Sequence, residues 1–253
     1  MTFPVGAVGE MGGPSGYTYA AVVIRVDDPP LTRDDVLAAL RELRFSGWVG
    51  QPEDGWLAAV LASGDGTVAA GRRGAAGVGE WLADRFGATV VAVRVVRDRQ
   101  LLVAMWADSE EVGRYLSDPS YGLGPGDDTL PDAYGVEHAA AFAAACDHPE
   151  NAEDLEELLG EELDPDSVFE SERLAGVLRL LGLPRWLVAA PSLPHDVPTG
   201  PRRSEVTRLG AGIPGGLGWL SGRTVNVVRR RRPPPPAVTD APRGSTGMDP
   251  WLM

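Results

Sequence analysis

Lysine is absent from this 253-residue chain, and all 23 basic residues are arginine. That absence excludes the phosphate-cradling loop of NTPases, which needs a lysine to reach the phosphates, and any Schiff-base lysine chemistry. Asparagine (Asn151, Asn226) and isoleucine (Ile24, Ile213) each occur twice. Codons for Lys, Asn and Ile are A/T-rich, whereas those for the abundant Ala, Gly, Pro and Arg are G/C-rich. The composition therefore reads first as the imprint of a GC-rich genome. Cys146 is the single cysteine, so no intrachain disulfide forms, which suits a reducing cytoplasm. With one cysteine and three separated histidines (His138, His148, His195), no zinc-binding spacing exists, and neither a metal nor a cofactor is expected. No apolar run approaches the length of about 18 residues that a membrane-spanning helix needs. No Arg or Lys precedes Arg25, so the N-terminus lacks the basic region of a secretory signal, and a cytoplasmic location is expected.

What is present is acid. The net charge is −13, with 36 Asp and Glu. The charge is divided unevenly: residues 201–253 hold nine Arg against Glu205, Asp240 and Asp249, a net of +6, which leaves −19 on the first 200. The densest acidic stretch lies between Glu150 and Asp166, where no arginine interrupts it. Its spacing does not fit a calcium-binding EF-hand loop. Within it Glu153, Asp154, Glu156, Glu157, Glu161 and Glu162 form a candidate surface for a basic protein partner, because one-sign fields steer encounter and select partners. A solvated helical face is the alternative.

A hydrophobic content of 43% fills a real core. The β-branched run YAAVVIRV (19–26) predicts a buried strand. LTRDDVLAALREL follows with a capping box at Thr32 and Asp35 and a hydrophobic staple between Leu31 and Val36. Short strands are expected at 47–50 and 55–62, where Trp48 and Trp56 bracket the turn and read as core residues. A helix is expected at about 75–86, stopped by Gly87, and a hairpin joins 89–96 to 101–107. Through residue 96 this order is β-α-β-β-α-β, the split pattern of ferredoxin-like folds, and a strand at about 112–117 widens the sheet. Helices are expected at 138–146 and 152–159. The third helix starts from a capping box at Ser167 and Glu170 and ends at Gly182-Leu183-Pro184 in Schellman order. The expected class is thus α+β: a ferredoxin-like core with extra antiparallel strands, a small helical segment and a disordered tail. Its boundaries are a flexible N-terminus (1–16), a sheet domain (17–134), helices packed on it (135–190) and a Pro/Gly/Arg-rich tail (191–253).

Catalytic signals are sparse. Cys146 and His148 are close in sequence, but a small buried thiol at the end of an alanine-rich helix is the simpler reading. GAGIPG (210–215) has the glycine spelling of a dinucleotide loop without the flanking strand and helix that give it meaning. RYLSDPSYG (114–122) enters a long Asp/Pro/Gly loop, so Arg114, Asp118 and Tyr121 are candidates for a small-molecule pocket beside residues 118–134. The run RRRRPPPP places Arg229, Arg230, Arg231 and Arg232 as the only candidates for a nucleic-acid arm. An acidic body and the lack of aromatics around them argue against nucleic acid. Arg230, Pro233 and Pro236 also spell an Arg-x-x-Pro-x-x-Pro ligand in polyproline II form, and the run reads as a stiff solvated extension.

The hairpin ending in SDPSYG (117–122), followed by VFESERLAGVLRLLGLP (Val168–Pro184), resembles a group of uncharacterised bacterial proteins, actinobacterial in type, over residues 46–184. The resemblance implies no activity of its own. Some small acidic proteins of this general kind are immunity or accessory factors of bacterial toxins, so it implies a binding role. Two readings follow: a non-enzymatic interaction module with an acidic contact face, or a small-molecule-binding or enzymatic ferredoxin-like domain.

Overall fold

The structure is a computed structural model that describes residues 16–64, 66–119, 133–162 and 169–210. Its centre is β1 (Tyr19–Arg25), every residue of which is buried except the last. Hydrogen bonding pairs it antiparallel with β3 (Trp56–Leu61) on one side and β4 (Val90–Val96) on the other. Beyond β3 lie β2 (Gly47–Val49) and β7 (Thr207–Leu209), and beyond β4 lie β5 (Gln100–Ala107) and β6 (Glu110–Leu116). The seven strands run β6-β5-β4-β1-β3-β2-β7, antiparallel throughout.

Both faces of this sheet are covered. Ala20, Val22 and Ile24 of β1 point to one face, which is packed by α1 (Arg33–Glu42) and α2 (Ala75–Phe86). Tyr19, Ala21 and Val23 point to the other, packed by α3 (Ala139–Ala145), α4 (Ala152–Gly160), α5 (Glu170–Leu180) and the 3₁₀ segment Arg185–Ser192. Burial on two sides explains why the central strands read as continuous apolar runs rather than alternating ones. Trp48 and Trp56 belong to the second core, at 4% and 3% exposure.

Local chemistry sets the helix ends. Thr32 caps α1 by accepting from the Asp35 N–H at 3.2 Å, and Asp35 returns a bond to the Thr32 N–H at 3.0 Å. The Thr32 hydroxyl, which also donates to the Asp35 carboxylate at 2.5 Å, and then the Thr32 N–H hold that carboxyl below its usual range. Gly87 ends α2 with φ +62°. At the end of α5, Gly182 has φ +65°, and the Leu183 N–H reaches back to the Leu178 carbonyl at 2.8 Å, as a Schellman stop requires. Glycine carries this left-handed residue without the Cβ strain of other side chains.

Two expectations need correction. At the N-terminus of α5, Phe169 rather than Ser167 occupies the N-cap position, and it contributes no side-chain bond. Ser167 lies outside the described residues. The cap instead comes from a distant turn, described below. The expected tail also starts too early. Residues 191–210 are built into the fold, with Leu193, Val197 and Leu209 buried and β7 closing the sheet against β2. Arg33 secures this edge, donating from Nε to the Gly50 carbonyl (2.7 Å) and from Nη2 to Thr207 Oγ1 (2.7 Å). A three-residue strand is too short to carry a period of two, so sequence pattern passes over it. The tail run Arg229–Arg232 and most of GAGIPG lie outside the described residues.

Candidate functional site

Residues 152–162 of the acidic stretch form α4 and the two residues beyond it, while Asp164 and Asp166 lie outside the described residues. Leu155 and Leu159 point into the core, while Glu153, Asp154, Glu156, Glu157, Glu161 and Glu162 are all exposed. Among the described residues none of these six carboxylates is in an ion pair. Glu153 and Asp154 sit in the first turn, where the helix dipole favours anions, but Glu161 and Glu162 follow the C-terminus, where it does not. Glu153 and Glu157 are also like charges four residues apart, a spacing that destabilises a helix.

What holds this helix end in place is buried beneath it. The Arg173 side chain, 4% exposed, donates from Nη1 to the carbonyls of Leu158 (2.6 Å) and Leu159 (3.0 Å) and from Nη2 to that of Glu161 (2.6 Å). These are the carbonyls that a helix C-terminus leaves without partners, so a guanidinium from α5 caps α4. Tyr115 of β6 adds its hydroxyl to the Leu159 carbonyl at 3.0 Å. Arg173 Nε lies 3.2 Å from Glu170 Oε2, an ion pair without hydrogen-bond alignment. Burial pushes the Glu170 carboxyl above its ordinary range, against the pull of Arg173 and a bond from Ser117. Desolvation likewise drives the Tyr115 and Tyr19 hydroxyls far up, so neither ionises at physiological pH.

The N-terminus of α5 is held by Asp98 in the β4–β5 turn. Its Oδ1 accepts from the Ser171 N–H (3.2 Å) and from the Ser171 hydroxyl, and its main-chain carbonyl accepts from the Glu170 N–H (3.1 Å). Oδ2 accepts from the Tyr17 N–H at 3.0 Å, which ties the start of β1 into the same knot. Tyr19 closes it by a 2.9 Å bond between its hydroxyl and Ser171 Oγ. Asp98 takes this position because its backbone is left-handed, φ +54°, a region that Asp tolerates better than most residues. Sequence reading missed both Asp98 and Arg173. The one local signal is that Arg173 falls beside the apolar stripe of α5, next to Leu174.

The remaining sequence candidates lie along and just beyond β6 and at the end of α3. Arg114 is paired with Glu111 at 3.1 Å on the edge strand β6. By strand alternation it points away from Tyr115. Asp118 accepts through its main-chain carbonyl from Gln100 (2.6 Å), and its charge adds to the upward push on the Glu170 carboxyl. Tyr121 lies outside the described residues. His148 is paired with Glu150 (Nδ1–Oε1, 3.1 Å) rather than with Cys146, and this contact, after a backbone bond, lowers the Glu150 carboxyl. Cys146 is 2% exposed, and burial pushes its thiol up to about 12. In the native chain at pH 8 Cys146 is expected to alkylate at least about a thousandfold more slowly than after unfolding, since the thiolate is the reactive form. Iodoacetamide labelling with and without denaturant measures this, and equal rates would contradict the burial.

A cavity of about 550 Å³ opens where α5 meets the 3₁₀ segment. Its charged lining is Glu53 and Asp54 from the β2–β3 turn and Arg179 and Arg185 from the α5 side, over Leu183 and Trp186. Neither Arg114 nor Asp118 lines it. Among the described residues no group of three His, Cys, Asp or Glu is placed to hold a metal, and no helix is long and apolar enough to cross a membrane. No protein-family model, curated protein or solved structure matches this chain.

Proposed function

We propose that this protein is a non-enzymatic, cytoplasmic interaction module that presents α4 to a basic protein partner. The observation that carries this reading is the set of six exposed carboxylates, unpaired among the described residues, on one helix and its extension, held in place by Arg173. A like-charged face costs the free protein stability, and a cationic partner would relieve that repulsion on binding. The resemblance to small acidic bacterial proteins supports an immunity- or accessory-like role. A ferredoxin-like core is supported by the element order β1-α1-β2-β3-α2-β4 and by the strand order β4-β1-β3-β2 within the larger sheet.

Two outcomes test the charge argument. The double substitution E156Q/E157Q is expected to stabilise the free protein by about 0.3–1 kcal/mol at low ionic strength, and the gain fades as salt screens the repulsion. Chemical denaturation at two salt concentrations checks it; a destabilised variant would contradict it. Neutralising all six acids as Asn or Gln is expected to abolish partner capture while the chain stays folded.

A further inference from the structure

The cavity beside α5 has a charge pattern that neither the fold nor the acidic helix requires. Among the described residues, Arg179 and Arg185 are in no ion pair and make no side-chain hydrogen bond. Yet two carboxylates line the same cavity. Among the described residues no ion pair joins these four charges. Glu53 is anchored by its main chain, in reciprocal bonds with Trp56 at 2.8 and 2.9 Å, and by its side chain, where Oε2 accepts from the Trp186 indole N–H at 3.1 Å. Glu53 Oε1 is left for another donor. Arg179 projects from the last turn of α5, just ahead of the Gly182 stop, and Arg185 begins the 3₁₀ segment that Pro184 introduces.

The lining thus combines two cations, two anions and the apolar side chains of Leu183 and Trp186. Its volume falls within the roughly 300–1,000 Å³ of small-molecule pockets. A multiply charged anion is disfavoured by Glu53 and Asp54, and a simple cation by the two arginines. A molecule bearing one charge of each sign satisfies both pairs, and arginine is the side chain best suited to a carboxylate. We propose that the cavity binds a small zwitterion of the amino-acid or short-peptide class. The ligand's carboxylate lies on Arg179 and Arg185, its ammonium on Glu53 and Asp54, and its apolar part over Leu183 and Trp186. This site is separate from the α4 face, and either can fail without the other.

Titration calorimetry on the full chain tests the proposal with free leucine, Gly-Gly, Ala-Leu and Leu-Phe as probes, at ligand concentrations up to about 10 mM, tenfold above a millimolar dissociation constant. At least one probe is expected to bind. Acetylating its amine or amidating its carboxylate is expected to weaken binding about tenfold or more, as loss of a charge-assisted contact does. The substitutions R185Q, R179Q and E53Q are each expected to weaken it similarly, while E156Q/E157Q leaves it unchanged. Arg185 is exposed, so R185Q retains the fold and reads the site even where R179Q does not. E53Q keeps an acceptor for the Trp186 indole. No binding of any probe by the folded wild-type chain would overturn the proposal. So would equal binding of the capped analogues, or affinity unchanged in R185Q.

Discussion

Replacing Arg173 with methionine is expected to destabilise the folded chain by about 3–5 kcal/mol, the range for removing one partner of a buried ion pair. The size follows from what Arg173 leaves behind. The carbonyls of Leu158 and Glu161 lose their donor, that of Leu159 keeps only Tyr115, and Glu170, 6% exposed, is left without a counter-ion. Glu170→Gln is expected to cost only about 1 kcal/mol, because the amide oxygen still faces Arg173 and the carbonyl bonds remain. The difference between the two variants measures the capping role apart from the ion pair.

The deficit of Arg173→Met also depends on pH, with a definite sign. Burial already makes Glu170 harder to ionise in the folded chain than in the unfolded one. The folded state therefore holds more protons between the ordinary glutamate pKa, about 4.3, and the raised value, and stability falls as pH rises through that window. Without the guanidinium the window extends further upward. The variant should lie closest to wild type below about pH 4 and furthest from it near neutrality. Denaturant titrations of both proteins across pH decide this. A deficit under about 1 kcal/mol at pH 7 would show that Arg173 is not the cap of α4, and one that grows towards acid would show that Glu170 is not the group it holds ionised.

Asp98→Ala carries the second large effect, an expected loss of about 2–4 kcal/mol. It removes the cap of α5, a charge-assisted acceptor for Ser171 and Tyr17, and a residue tolerant of the left-handed turn. Asp98→Asn keeps an oxygen acceptor and the same backbone tolerance, so about 1 kcal/mol is expected. Amide exchange at Glu170 and Ser171 should speed up in Asp98→Ala well beyond the global change. Equal stability of the two variants would mean that the turn, rather than the carboxylate, holds α5.

The contrast between α1 and α5 shows which parts of this fold are written locally. The cap of α1 lies within four residues, Thr32 to Asp35, and is legible as a string. So are the Gly182-Leu183-Pro184 stop and the buried runs of β1, β4 and β5. The cap of α5 joins residues 98 and 171, and that of α4 joins 173 to carbonyls at 158–161; no spacing rule reaches across such separations. β7 escapes notice for a related reason, since three residues become a strand only because β2 offers an edge and Arg33 holds it there.

The candidate sites divide in the same way. The acidic face is contiguous in sequence, so its exposure on one side of α4 follows from helix period once Leu155 and Leu159 are assigned to the core. The zwitterion cavity gathers residues 53–54 with 179–186 and 198–199, and only the packing of the β2–β3 turn against the end of α5 brings them together. Neither Arg114 nor Asp118 lines that cavity, although both flank the stretch whose composition suggests a pocket.

The binding role itself is tested most directly by affinity capture from cells at low and high salt. Two baits are compared: the full chain, and the full chain with Glu153, Asp154, Glu156, Glu157, Glu161 and Glu162 changed to Gln or Asn. The account predicts a stoichiometric basic protein on the first bait at low salt, released at high salt and absent from the second bait. The same protein on both baits, or a partner that salt does not release, would contradict it.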